Sequence, residues 1–193
     1  MIVRLDFGGE ARRGQTIRVA ARPGPGVAIL GRLGRQLPFR ESSVDEIFLD
    51  HALAHAEDFI GVMEECWRIS KRGTLIHIRL PHASSAWVLS RDPRHAHHFT
   101  LETFNYFDPR FNNPACTSPA TFRLEHARLY LMGPRRGAKG LVFARSAFAR
   151  IVEGLVNRNR GMQYRWERWF APFVGGFEEF YVILSAMKEG PVD

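Results

Sequence analysis

The sequence predicts an α/β fold built on a central, mostly parallel β-sheet. Short runs rich in β-branched and aromatic residues alternate with stretches of helical periodicity, which is typical of strands joined by crossover helices. One amphipathic helix pattern lies between two of these runs, as a parallel strand pair requires. With 193 residues, of which 45% are hydrophobic, the chain can bury one substantial core, and we predict a single domain over residues 1–193.

The elements follow in a regular order. Five strands are predicted in the first half of the chain, at 2–7, 16–21, 26–30, 44–50 and 73–81. A helix is predicted over 57–71, where the apolar residues Phe59, Ile60, Met63, Cys66 and Trp67 recur at helical spacing, and Gly73 is interpreted as its stop signal. A late pair of strands is predicted at 121–132 and 178–187, flanking two helices.

Composition narrows the class of protein. No run of about 18 apolar residues is present, and an acidic residue interrupts the apolar N-terminus, so we predict no transmembrane segment, no signal peptide and a cytoplasmic location. The two cysteines, Cys66 and Cys116, are too far apart in sequence for a zinc motif or a disulfide framework.

The net charge of +7 favours an acidic partner such as RNA, an anionic lipid or a phosphorylated substrate. The most basic segment, 133–140, is interpreted as a solvated turn or, alternatively, as a nucleic-acid contact. Basic residues are otherwise dispersed, so nucleic acid is a less favoured partner without being excluded.

Candidate chemistry lies first at the end of the predicted strand 44–50. Asp50, His51 and His55 lie at or just after its carboxyl end, where α/β sheets place their ligands, so they could orient a substrate or act as a base. The alternative is that the two histidines only cap the next helix and pack against it.

A second group lies in the segment "RDPRHAHHF", which holds Asp92, His95, His97 and His98. A ligand set crowded into one loop, without helical spacing or a distant carboxylate, argues against a metal site, and we predict none. His95 could instead serve as an acid or base. The predicted catalytic residues are therefore His55, His95 and Asp92.

These segments, in this order, resemble the class I S-adenosylmethionine-dependent methyltransferases, in particular a compact branch of methyltransferase type 11. The resemblance rests on "LPF" followed by "VDEIFLDHALAH", and on "DPRHAHHFTLETFNYFDP". It implies a Rossmann-like fold with an antiparallel final strand, with a cofactor-binding half over 1–81 and substrate-side elements over 82–193. It also implies S-adenosylmethionine as the cofactor.

The same resemblance assigns cofactor contacts. The acidic residue and glycine turn that hold the amino-acid end of the cofactor correspond to Asp6, Gly8 and Gly9, and Glu10 stands where the family has its last glycine. The side chain and negative charge of Glu10 would crowd the cofactor's carboxylate. Asp50 is expected to contribute from the neighbouring strand.

Further cofactor contacts are expected from Ala20, Arg32, Leu37 and His51. Ala20 or, one residue further on, Ala21 stands where the family places the carboxylate that accepts the ribose hydroxyls, and Arg32 lies near the position of an adenine-side acid. Each lost contact of this kind would weaken binding by about ten- to a hundredfold, so we expect weak or lost cofactor binding.

An aromatic stripe lies near the C-terminus. Met162, Trp166, Trp169, Phe170 and Phe173 share one side of a predicted helix, and we interpret them as core residues, with a membrane or base-stacking surface as the alternative.

The resemblance implies methyl transfer from S-adenosylmethionine to a small-molecule or glycan-like acceptor. The alternative is a catalytically inactive relative that acts as a binding or scaffold subunit with a protein partner.

Overall fold

The computed structural model describes residues 2–7, 16–20, 23–31, 33–34, 36–111, 113–131, 147–171, 173 and 176–188. Within these residues one seven-stranded sheet organises the fold. Its strands are β1 (Arg4–Phe7), β2 (Ile17–Ala20), β3 (Val27–Leu30), β4 (Val44–Asp50), β5 (Ser70–Pro81), β6 (Thr121–Tyr130) and β7 (Glu179–Met187).

The strand order is β3-β2-β1-β4-β5-β7-β6. The first five strands in this order pair in parallel, whereas β7 runs antiparallel to both β5 and β6. The predicted α/β class, with a mostly parallel sheet and an antiparallel final strand, is therefore confirmed.

The helices are α1 (Phe59–Ile69), α2 (Ala86–Arg91), α3 (Ala147–Val156) and α4 (Arg160–Arg165). Short 3-10 turns lie at Ala52–His55, Leu101–Phe107 and Pro109–Phe111, and a π-helical turn at Trp166–Phe170 follows α4 directly. None of the helices among the described residues has the length and apolar character needed to cross a membrane.

Helix α1 is shorter than predicted because both of its ends are set by side chains. Asp58 caps the start by accepting a hydrogen bond from the backbone N–H of Gly61 at 2.9 Å, and the hydroxyl of Ser70 donates to the carbonyl of Cys66 at 2.7 Å at the other end. The interpretation of Gly73 as the helix stop was wrong. Gly73 lies inside β5 with φ +77°, where the register with β4 shifts, and glycine tolerates that conformation without strain.

The buried residues form one hydrophobic core, to which β7 contributes every second residue from Phe180 to Ala186. Helix α1 buries Val62, Met63, Cys66 and Ile69. A cluster of buried phenylalanines lies beyond β5 and joins the 3-10 turn Leu101–Phe107 to the sheet: Phe99, Phe104, Phe107, Phe122 and Phe180. Phe59 of α1 contacts three of these phenylalanines, so the segment that carries the histidine-rich loop packs into the same core.

The aromatic stripe predicted as core is largely on the surface. Trp166 is partly buried against the core, but Trp169, Phe170 and Phe173 are 63%, 50% and 86% exposed. The core interpretation was wrong for these three residues. A π-helical turn advances more residues per turn than an α-helix, so the continuous α-helical spacing assumed from the sequence does not hold here.

Candidate functional site

The candidate site lies at the carboxyl ends of β1 and β4. These strands are neighbours, with Asp6 paired to Phe48 and Phe7 to Leu49, and the strand order changes direction between them. Ligands of open α/β sheets bind outside the strand ends at such a point. Asp6, next to the end of β1, and Asp50, the last residue of β4, both lie there with buried side chains.

The other predicted cofactor residues are distributed around this point. Ala20 ends β2, beside β1, and has no polar side chain. Leu37 is buried, and its backbone N–H donates to Glu65 Oε1 at 2.7 Å. Its role as a cofactor contact stays a prediction, as do those of Gly8, Gly9, Glu10 and Arg32, which lie outside the described residues.

Gly31 lies close to the side chains of Leu37 and Val19. A Cβ on Gly31 would lie 3.1 Å from both Leu37 Cδ2 and Val19 Cγ1, so a larger residue at position 31 would push the side chains of Leu37 and Val19 slightly apart. This contact holds the "LPF" segment against the strand that ends at Ala20.

These residues fit S-adenosylmethionine in part. Asp6 and Asp50 provide carboxylates at adjacent strand ends, which suits the polar end of a nucleotide-like ligand. Ala20 provides no acceptor for the ribose hydroxyls. The residues that the structure describes would therefore give the cofactor fewer charged contacts than the family resemblance implies.

His51 forms the most polar cluster of the site. Its Nδ1 lies 2.7 Å from Asp50 Oδ1 and its Nε2 lies 3.3 Å from Glu179 Oε1. Arg79 binds the other oxygen of Glu179 through Nη2 at 2.7 Å. The backbone of His51 is left-handed, with φ +58°, a conformation that is uncommon outside glycine and is concentrated at functional sites.

The charge of His51 follows from this geometry. Burial by itself would lower the pKa of the imidazole, but the hydrogen bonds to Asp50 and Glu179 outweigh it and raise the pKa of His51 to about 9. The pKa of Glu179 lies below its ordinary value, because His51 and Arg79 outweigh the effect of its own burial. At neutral pH His51 is therefore protonated and pairs with Asp50 as a cation. A protonated imidazole cannot accept a proton, so His51 does not suit the role of base that the sequence analysis considered.

The predicted catalytic residues come together at the same edge of the sheet. Nε2 of His55 lies 3.9 Å from Asp92 Oδ2, and the ring centroids of His55 and His95 are 5.1 Å apart. The backbone N–H of Ala96 donates to the carbonyl of Ala54 at 2.9 Å, which docks the histidine-rich loop onto the turn after β4.

His95 has the protonation state of a proton acceptor. Burial and the nearby charge of His55 lower its pKa below the ordinary value, so the ring is neutral at pH 7. Its Nδ1 is buried and has no hydrogen-bond partner among the residues that the structure describes. Arg94, through hydrogen bonds from its side chain and backbone, lowers the pKa of Asp92, which therefore stays a carboxylate.

His55, Asp92 and His95 could also be considered as metal ligands, because one donor atom of each lies within 4.8 Å of the others. The sequence missed this arrangement, since His55 comes from outside the loop. However, Arg94 donates to Asp92 Oδ1 from Nε at 2.9 Å and to Oδ2 from Nη2 at 2.6 Å. A guanidinium at both carboxylate oxygens disfavours a second cation there.

The other two histidines of the loop do not join this group. His97 packs its ring against Phe59 and Phe99, and His98 is exposed. The residues that sequence reasoning missed are Glu179 and Arg79. No local pattern marks them, because the antiparallel pairing of Pro81 with Glu179 is what brings β7 to the site.

An open cavity of about 610 Å³ lies near this edge. Phe59, the first residue of α1, lines it and also contacts His97 of the loop. The remaining lining residues combine aromatic, amide and acidic side chains: Ile60, Glu102, Thr103, Asn105, Tyr106, Phe111, Asn113 and Pro114. Aromatic walls with a few polar groups are typical of small-molecule pockets.

Comparison with known proteins identifies the fold. A SAM-dependent methyltransferase from Archaeoglobus fulgidus has a TM-score of 0.53 and 14% identity, covering 95% of this chain and 86% of that chain. The YcgJ protein from Bacillus subtilis has a TM-score of 0.56 and 14% identity over 98% of this chain and 93% of its own. A methyltransferase solved in complex with the Trm112 methyltransferase activator from Haloferax volcanii has a TM-score of 0.55 and 12% identity, covering 97% of this chain and 83% of that chain.

No curated protein matches the chain in sequence, but residues 5–78 match a family described as a methyltransferase domain. This segment runs from β1 into β5 and holds Asp6, Ala20, Asp50 and His51. The chain therefore has the Rossmann-like fold of the class I S-adenosylmethionine-dependent methyltransferases, and its residues 5–78 match their methyltransferase domain, as the sequence resemblance predicted.

Proposed function

We propose that this protein transfers a methyl group from S-adenosylmethionine to a hydroxyl of a small-molecule or glycan-like acceptor, with His95 as the proton acceptor. The observation that carries the proposal is the assembly of His55, Asp92 and His95 beside the carboxyl end of β4. A neutral imidazole at the ligand-binding edge of a methyltransferase fold is the group that such a transfer needs.

The cofactor, when bound, supplies a methyl group on a positively charged sulfur, which leaves as a neutral thioether. The chain's part is to orient and to balance charge. Asp6 and Asp50 offer carboxylates at the strand ends, and His51 binds Asp50 through the 2.7 Å contact. Holding donor and acceptor in line contributes most of the acceleration in a displacement of this kind.

The histidine-rich loop would accept the proton of the acceptor hydroxyl. As the acceptor oxygen forms its bond to the methyl carbon, its proton passes to the imidazole of His95, whose lowered pKa keeps it unprotonated beforehand. His55 and Asp92 act as positioning residues, because the Asp92 carboxylate offsets part of the charge that develops on the two rings. The proton then leaves to solvent from the partly exposed loop.

The acceptor class is inferred from the cavity. Tyr106 and Phe111 provide flat apolar surfaces, and Asn105, Asn113 and Glu102 provide hydrogen-bonding groups. Sugar rings present apolar faces and ring hydroxyls in the same alternation, so this lining suits a glycan-like acceptor better than a purely apolar one.

The alternative function is a binding subunit without catalysis, and the lack of a carboxylate at the end of β2 supports it. Ala20 ends β2 without a carboxylate, so the ribose contact is missing unless another group replaces it. A solved relative contains a methyltransferase with an activator protein, and a partner of that kind is one way in which a weak site could be completed.

Calorimetric titration with S-adenosylmethionine and with its demethylated product tests the cofactor part of the proposal. We expect weak, millimolar binding of both, reduced further in Asp50→Asn and unchanged in Glu125→Gln, an exposed acid on the distant strand β6. The absence of any heat with either compound at several millimolar would favour the binding subunit.

Turnover tests the catalytic part. Formation of the demethylated product should be followed with a panel of free sugars and nucleotide sugars. His95→Ala should lower the rate by about a hundredfold, and His98→Ala, an exposed histidine in the same loop, should leave it unchanged. Equal rates in the two variants would remove His95 from the mechanism.

A further inference from the structure

The segment after α4 presents three aromatic side chains to solvent. Trp169, Phe170 and Phe173 are 63%, 50% and 86% exposed, and we call them the aromatic patch. Scattered single apolar residues are normal on a surface, but several large aromatics within five positions indicate an interaction site.

The fold holds the aromatic patch outward. Within the π-helical turn, the Glu167 side chain points into the protein, where its Oε1 lies 2.7 Å from Nε2 of the buried His82. The same oxygen accepts the backbone N–H of Leu101 at 2.9 Å. Ala171, after the turn, is also buried. Because the inward positions are anchored in this way, the exposure of the patch is a property of the packed turn and not of a loose end.

The exposed charges of the segment 158–173 have one sign. Arg158, Arg165 and Arg168 are exposed in the same segment, and the guanidinium of Arg168 lies 5.9 Å from the ring centroid of Trp169. The only acidic residue between positions 158 and 173 is Glu167, and it is turned inward. The exposed face of the segment is therefore aromatic and cationic, with no carboxylate.

We propose that the aromatic patch and its arginines dock the protein onto the surface of an anionic phospholipid bilayer. Tryptophan and phenylalanine partition into the headgroup region, while arginines beside them bind lipid phosphates and are attracted by the surface charge. Aromatic residues and arginines are also enriched at protein–protein interfaces, but three exposed arginines without an exposed carboxylate on the same segment favour a uniformly anionic surface. The proposal is independent of the proposed reaction and would place the site beside membrane-borne molecules.

Vesicle flotation tests the proposal directly. Purified protein is mixed with vesicles of phosphatidylcholine alone or of phosphatidylcholine with an equal part of phosphatidylglycerol. We expect the wild type to float with the anionic vesicles and not with the neutral ones. Binding should fall by at least tenfold in the double variant Trp169→Ser with Phe173→Ser, and it should also fall in Arg168→Glu.

The matched control is Leu30→Ser, which removes an apolar residue that is 60% exposed at the end of β3, at the opposite edge of the sheet from β6 and β7, and should bind like the wild type. Circular dichroism and melting curves establish that the variants fold, which their exposure favours. Three results would overturn the proposal: no flotation of the wild type, equal flotation of the double variant, or a wild type that self-associates through the patch and becomes monomeric in the double variant. Tighter binding of single-stranded RNA than of anionic vesicles, lost in the double variant, would equally overturn it.

Discussion

The imidazole of His51 lies 2.7 Å from the carboxylate of Asp50, its neighbour in sequence. This contact needs the left-handed backbone of His51, because consecutive side chains in an extended strand point to opposite faces of the sheet. The turn at the end of β4 therefore brings the side chains of Asp50 and His51 together as an ion pair, although consecutive residues of a strand point to opposite faces.

The stability of the protein should fall as the pH rises from 6.5 towards 9. The pKa of His51 is raised in the folded protein to about 9 from an ordinary value of 6.5, so its stabilising contribution is complete below pH 6.5 and is lost as the pH passes about 9. After allowance for its partial exposure, we expect an effect on the order of 1 kcal/mol. Urea unfolding across this range measures it, and His51→Gln should flatten the dependence. A wild-type profile that stays flat would contradict the charged pair.

His95 should titrate at a pH below 6.5, the ordinary value for histidine. Burial and the charge of His55 both lower its pKa, whereas Asp92 raises it. Substitution of His55 by Gln should therefore move the midpoint up, and Asp92→Asn should move it down. The histidine ring protons, followed by NMR with His95→Gln for assignment, report the midpoint. A midpoint above that value would argue against a neutral acceptor.

The two tryptophans of the C-terminal segment should differ in their effect on stability. Trp166 packs partly against the core and stacks on Phe170 at a centroid distance of 4.9 Å, so Trp166→Ala should cost about 1–3 kcal/mol. Trp169 is mostly exposed, and Trp169→Ala should leave the free energy of unfolding nearly unchanged. Urea midpoints at an unchanged m-value give the comparison. Equal losses would mean that Trp169 is also packed.

Loss of the Glu167 side chain should be strongly destabilising. It would leave the buried His82 ring and the Leu101 N–H without the acceptor that they share, and each such group costs about 1–3 kcal/mol. Glu167→Ala should therefore lower stability by about 2–4 kcal/mol. Glu167→Gln, which keeps a carbonyl oxygen, should lose less. Thermal melting distinguishes the two, and equal melting temperatures would exclude the proposed anchor.

Cofactor affinity should rise when the family pattern is restored. Replacing Glu10 by Gly removes a negative charge expected beside the cofactor carboxylate, and replacing Ala20 by Asp supplies an acceptor at the end of β2 for the ribose. Together they should strengthen binding of S-adenosylmethionine by about ten- to a thousandfold. Calorimetry of the single and double variants measures the gain. Micromolar binding by the wild type would show that other groups already hold the cofactor.

Much of the fold could be predicted from local patterns. The strand at 44–50 was predicted with its observed bounds, because a buried strand is an apolar run with clear ends. Helix α1 was predicted too long by two residues at each end. Its ends depend on two hydrogen bonds, from the Gly61 N–H to Asp58 and from the Ser70 hydroxyl to the Cys66 carbonyl, that helical periodicity does not reveal.

What the sequence determined by itself is the order of strands and helices, the methyltransferase resemblance and the residue types available at the strand ends. The tertiary structure decided which of them act together. Only folding brings Glu179 to His51, sets His55 against His95 and turns Glu167 inward so that Trp169 faces solvent. The charge of a side chain, its protonation and its exposure depend on neighbours that are distant along the chain, as Glu179 is from His51, and the local sequence pattern does not show which distant residues become neighbours.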